Sequence, residues 1–166
     1  MVATRSAPCE EPEGGWQVPD PNRAGHADVN ASNAAVRRDP EFAGLWIEYL
    51  DGAGDNSTED QAEILLNVAF TANLEPHEQE LRKHWGGPLC ITKHDRSLGR
   101  LQQIQSEELG RVTRRLGIQE LFTDIDVEDD VVEVGIVVID DKGREAIEER
   151  SGKDAVRILE MLQPAT

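Results

Sequence analysis

Leu121-Phe-Thr-Asp-Ile-Asp-Val-Glu-Asp-Asp-Val-Val-Glu-Val-Gly-Ile-Val-Val138 alternates apolar and polar residues on both sides of an acidic turn. Leu121, Thr123, Ile125 and Val127 make one period-2 set, and Val132, Val134, Ile136 and Val138 make another, which predicts a β-hairpin closed by Glu128-Asp129-Asp130. Upstream, Ser97 can cap a long helix whose stripe runs through Leu98, Leu101, Ile104, Leu109, Val112 and Leu116 and stops at Gly117. Downstream, a short helix from Asp141 through Ala146, Ile147 and Arg150 stops at Gly152, and Ala155 to Met161 reads as a last strand. The order is helix, hairpin, helix, strand.

The preceding part of the chain repeats that order. A short helix from Ala31 to Arg38 leads to a strand over Phe42 to Leu50, with Leu45, Ile47 and Tyr49 set against Trp46 and Glu48. After a loop from Asp51 to Asp60, Ile64, Leu66, Val68 and Phe70 form a second period-2 face. Leu74, Leu81 and Trp85 sit at helical spacing between Pro76 and Gly86-Gly87, and Leu89 to His94 is a short strand. One apolar stripe per helix and one apolar face per strand predict an α+β fold, with helices packed on one side of small antiparallel or mixed sheets. The domains expected are a flexible N-terminal arm over 1–30, rich in Pro and Gly, and tandem α+β units over 31–96 and 97–166. Trp16 is the one aromatic in the arm, placed either to pack back on the domain or to anchor a partner.

The formal net charge is −16, and its excess lies at the two ends: residues 1–60 hold 12 acids and 4 bases, 61–120 hold 8 and 8, and 121–166 hold 13 and 5. Such a surface repels phosphate backbones and anionic lipid, so neither nucleic acid nor membrane is an expected partner, and a basic protein or a cation is favoured. Aromatic content of 4% makes the core aliphatic. Cys9 and Cys90 stand in unlike contexts, one polar and one apolar, so no disulfide framework is expected and Cys90 reads as a small buried hydrophobe. The start of the chain lacks the apolar segment of a signal peptide, so the sequence as it stands reads as cytoplasmic, and as secreted if such a segment has been removed.

Chemistry-bearing motifs are sparse. His77, His84, Cys90 and His94 match no closed zinc spacing. Asp51, Asp55, Glu59 and Asp60 resemble a calcium loop, but Asn56 and Ala62 stand where that register needs glycine and glutamate. The acids at 126 and 128–130 suit a tight turn for backbone reasons. Gly52-Ala-Gly54 with Ser57 lacks the third glycine and the lysine of a phosphate loop, and no serine or cysteine stands in an activating motif. Asn30-Ala-Ser32 and Asn56-Ser-Thr58 match the glycosylation acceptor pattern. The expectation is a non-enzyme with no catalytic, cofactor-binding or metal-binding residue.

Phe42-Ala-Gly-Leu-Trp-Ile-Glu-Tyr49, Ile64-Leu-Leu-Asn-Val-Ala-Phe-Thr71, the helix over Leu98 to Leu109 and the valine-rich hairpin from Asp124 together resemble the propeptides of secreted bacterial chymotrypsin-fold serine proteases, the alpha-lytic protease and streptogrisin group. The resemblance spans about residues 31–161. It implies a folding catalyst and inhibitor that extends a sheet against its protease and inserts its C-terminal tail into the cleft. Here the sequence ends at Thr166 with no protease behind it, which leaves a role in trans, an excised piece, or a fold reused for other binding; if the tail role carries over, Leu162, Gln163, Pro164, Ala165 and Thr166 are the inserted segment, although Pro164 cannot donate a backbone hydrogen bond. Readings of other classes are an acidic immunity-type or DNA-mimic protein that neutralises a basic enzyme, and a metal-binding or catalytic domain.

Overall fold

A computed structural model describes residues 9–50 and 63–162, and the chain divides into two compact units, the first closing at Ser97 and the second opening at Leu98. The fold is α+β.

In the first unit, helix α1 (His26–Val36) precedes the antiparallel strands β1 (Phe42–Tyr49) and β2 (Ile64–Phe70). Helix α2 (Leu74–Leu81) then carries the chain across to β3 (Leu89–Lys93), which lies parallel to β2. A parallel neighbour needs such a crossover, whereas a hairpin partner does not. The order β1-β2-β3 leaves β2 central, and all seven of its residues are buried. On the helix side, Phe70 packs edge-on against Phe42, and Leu81 and Trp85 are fully buried. Trp85 keeps its one polar atom satisfied by donating Nε1–H to the Pro88 carbonyl at 2.7 Å.

Helix α1 starts five residues earlier than Ala31, and the described part of the expected arm is tied to the first unit. Cys9 is bonded to Cys90 across 81 residues of sequence, which corrects the expectation of unpaired cysteines. The Asp20 N–H donates to Gly86 O, the Gly86 N–H donates to Arg23 O, and Pro21–Arg23 forms a turn of 3-10 helix. A Cβ on Gly86 would come within 2.3 Å of the Asp20 carbonyl, so this glycine serves close backbone approach rather than only stopping α2. A covalent tether and backbone pairing offset the ordering entropy that composition alone would leave unmet. Residues 1–8 and the acidic loop 51–62 lie outside the described residues.

The second unit has the same topology. Helix α3 (Leu98–Gln103), a π-helical segment (Ile104–Leu109) and α4 (Gly110–Leu116) follow one another without leaving right-handed backbone. The hairpin is β4 (Glu120–Asp126) with β5 (Val131–Ile136), and α5 (Asp141–Ser151) crosses to β6 (Val156–Glu160), parallel to β5. Leu101, Ile104, Leu109, Val112, Val132, Val134, Ile136 and Ile147 share the core. The π segment explains the odd gap of five between Ile104 and Leu109: one extra residue per turn keeps both on the buried stripe. Leu116, at the stripe's end, is exposed, and Gly117 closes the helix in the left-handed region at φ 67.

Both hairpins carry a bulge at the same register, between Phe42 and Gly44 in β1 and between Glu120 and Phe122 in β4. It overturns part of the expected alternation. Leu121 falls in the irregularity and is exposed, while Glu120 takes the place opposite Ile136, its carboxylate accepting from the Thr113 hydroxyl. Val138 lies beyond β5 and is exposed. The cap of α5 is Asp140 rather than Asp141, its Oδ1 accepting from the Gly143 N–H at 2.8 Å.

Candidate interaction surface

Sheet register assigns the two faces of the second unit. Val132, Val134 and Ile136 point to the helices, so Val131, Glu133 and Gly135 point the other way. Two rows cross that outer face. One is Asp124, Glu133 and Arg157, and the next is Phe122, Gly135 and Leu159. Gly135 is what lets the second row lie flat: a Cβ there would meet the Phe122 ring at 2.3 Å, so the ring occupies the space above the glycine. Phe122 is 43% exposed, Leu159 36% and Met161 49%, an apolar strip on the side of the sheet away from the core.

The charged row is a network around one guanidinium. Arg157 donates to Asp126 at 3.1 Å and to Glu133 at 2.7 Å, and it also donates to Asp129. Three carboxylates thus converge on one guanidinium at the strip's edge. The hydrogen bonds that it donates to Glu133 and then to Asp129 and Asp126 hold the guanidinium well above its ordinary range, so it stays charged at any working pH. The Arg157 side chain is 30% exposed, so the network is not a fully buried ion pair, for which removal of one partner costs roughly 3–5 kcal/mol. Arg157→Met is expected to cost about 2 kcal/mol in urea unfolding, and adding Glu133→Gln should return part of it by relieving repulsion among the remaining acids. Additive losses in that pair of variants would show that the acids do not repel one another.

The register equates Gly135 with Ala69, Leu159 with Thr92, Glu133 with Asn67 and Arg157 with Cys90. In the first unit Leu65, Asn67, Ala69 and Cys90 on that face are all buried, and Cys9 is bonded onto it. On the corresponding face of the second unit Val131 is buried, but Phe122, Leu159 and Met161 are exposed. On its helix side, a groove of about 420 Å³ between α4 and α5 is lined by Arg111, Val112, Arg115, Ala146, Glu149 and Arg150.

The residues singled out by sequence are dispersed. Trp16 is half-buried in the first unit. Leu162 is 62% exposed in the second, where its N–H donates to Val137 O and continues the β5–β6 ladder past β6. Gln163, Pro164, Ala165 and Thr166 lie outside the described residues, as do Gly52, Gly54 and Ser57. The four zinc candidates have separate neighbours: Cys90 is in the disulfide, His94 stacks on Trp46, His84 lies 3.8 Å from Glu80, and His77 meets Glu41. Asp126 Oδ1 accepts from the Glu128 and Asp129 N–H groups, the backbone role expected of an acidic turn. Asn30-Ala-Ser32 lies within α1, with Ser32 buried.

Phe122, Gly135, Leu159 and Arg157 were not among the expected site residues. A glycine in the middle of the valine-rich strand was the available signal, since an interior strand glycine marks close approach by another group. No protein family matches the chain, and no curated protein matches it.

Proposed function

We propose that this chain is a non-catalytic protein-binding module whose docking surface is the open face of its second sheet, and whose partner is a basic protein with an apolar contact patch. The observation that carries the reading is the exposed strip of Phe122, Leu159 and Met161 beside the three carboxylates gathered on Arg157. A desolvated aromatic anchor with a charged rim is the anatomy of a protein-recognition site. In its sharpest form the reading is a propeptide-like inhibitor or chaperone acting in trans on a serine protease, with β6 as the edge that a partner strand extends and the tail from Leu162 entering the cleft. The Cys9–Cys90 bond supports an oxidising, extracellytoplasmic setting for that encounter.

The test is affinity enrichment with the tagged chain, from culture medium and from lysate, at low and at high salt. A basic protease retained at high salt supports the propeptide-like form, because apolar burial and strand addition are weakly screened. A basic enzyme released at high salt favours neutralisation by charge alone. Retention of the same proteins by the Phe122→Asp bait would remove the sheet face from the account.

A further inference from the structure

The first unit gathers nitrogen and oxygen donors of its own. Asp39 lies in the turn after α1, Glu41 immediately precedes β1, and His77 stands in α2. His77 Nε2 is 2.8 Å from Glu41 Oε2, its Nδ1 is 4.0 Å from Asp39 Oδ2, and one donor atom from each of the three lies within 4.8 Å of the others.

The surroundings fix these side chains. The His77 ring lies flat on the buried Phe70 ring, with centroids 3.9 Å apart and planes 3° from parallel, so the imidazole presents its edges rather than its faces to the acids. Glu41 is held at both carboxylate oxygens, Oε2 by His77 and Oε1 by the Asn73 amide at 2.8 Å. Asn73 occupies the N-cap of α2 yet makes no side-chain cap, and its backbone is left-handed at φ 53. An asparagine at that position ordinarily caps its helix, and here the amide is turned to Glu41 instead. Asp39 Oδ1 accepts from the Glu41 N–H, which locks the two acids in one turn. Among the described residues neither acid is paired with lysine or arginine, so two carboxylates face a single imidazole.

We propose that Asp39, Glu41 and His77 bind one first-row divalent transition-metal ion, with Zn²⁺ as the natural probe. One imidazole with two carboxylates suits zinc or manganese, whereas calcium and magnesium prefer all-oxygen shells. The ion replaces the His77–Glu41 hydrogen bond, and Asn73 becomes the outer partner that orients a ligating carboxylate. Because the donors come from the α1–β1 turn, the start of β1 and α2, the ion clips three segments of the first unit together and stabilises it by mass action.

The experiment is calorimetric titration of Zn²⁺ into the EDTA-treated full chain, with excess Mg²⁺ present to occupy diffuse acidic sites, alongside thermal melts. The expected result is saturable binding of one ion per chain and a raised melting temperature. His77→Ala should abolish both, Asn73→Ala should weaken binding about 10-fold, and His84→Ala should change neither. Absence of saturable binding in the wild type, or undiminished binding in His77→Ala, overturns the proposal. If His77→Ala does not fold, X-ray absorption on the zinc-loaded wild type decides: imidazole nitrogen with oxygen supports the site, and an all-oxygen shell overturns it.

Discussion

Reduction of the Cys9–Cys90 bond lowers the stability of the first unit by about 4.5 kcal/mol, the chain-entropy value for a loop of this length. In a unit of this size that corresponds to a melting shift of roughly 15 °C or more. The effect is large because the bond closes 81 residues of sequence and brings a Pro- and Gly-rich segment onto a sheet face in which Leu65, Asn67 and Ala69 are buried. Two variants separate the tether from the packing. Cys9→Ser removes only the tether, since Cys9 is half-buried, whereas Cys90→Ser also places a hydroxyl at a position 1% exposed and should cost more. Both cysteines belong to the first unit, so the loss is read on that unit's transition. A single unshifted transition after reduction would show that the tether contributes nothing.

Phe122→Asp weakens binding of the captured partner by about 100-fold or more while costing the free protein only about 1 kcal/mol. The first half follows from the ring's position: it is exposed above Gly135 and flanked by Leu159, the place of an anchor whose loss typically costs at least about 2 kcal/mol. A new carboxylate beside an acidic network adds desolvation and crowding to that loss. The second half follows from partial burial: the ring is 43% exposed and covers Gly135, so its loss from the strand costs a small fraction of the whole stability. Gly135→Val gives an independent handle. Its side chain enters the space the ring now fills, displaces Phe122 and should weaken binding with no change of charge. Salt should slow association with the wild type more than it speeds dissociation, because the carboxylates steer the encounter and the apolar strip holds it. Binding unaffected by both substitutions would place the partner elsewhere.

Strand periodicity made much of this architecture legible. Val132, Val134 and Ile136 face the core as their alternation required, and the same holds for Leu66, Val68 and Phe70. Departures arose where one residue was inserted. The bulge at Leu121 exchanged a leucine for Glu120 on the core side, and the π segment absorbed a five-residue gap that no α-helical stripe allows. A bulge and a π turn are each set by tertiary fit and leave only a weak mark on local propensity. Pairings distant in sequence were harder still. Nothing local to Cys9 reports Cys90, and nothing near Glu41 reports His77, 36 residues on; both contacts exist only because β2 and β3 lie parallel and α2 crosses over them. The acidic turn at Asp126 was read correctly as backbone chemistry, but the guanidinium that gathers its carboxylates comes from β6, 31 residues later.

The claim that the open face of the second sheet is the docking surface is tested most directly by amide hydrogen exchange on the chain alone and in its captured complex. Protection gained along β4 and β6, centred on Phe122 and Leu159 and extending past Met161, is the predicted result. Protection confined to the helices, or to the groove lined by Arg111, Arg115 and Arg150, would contradict it.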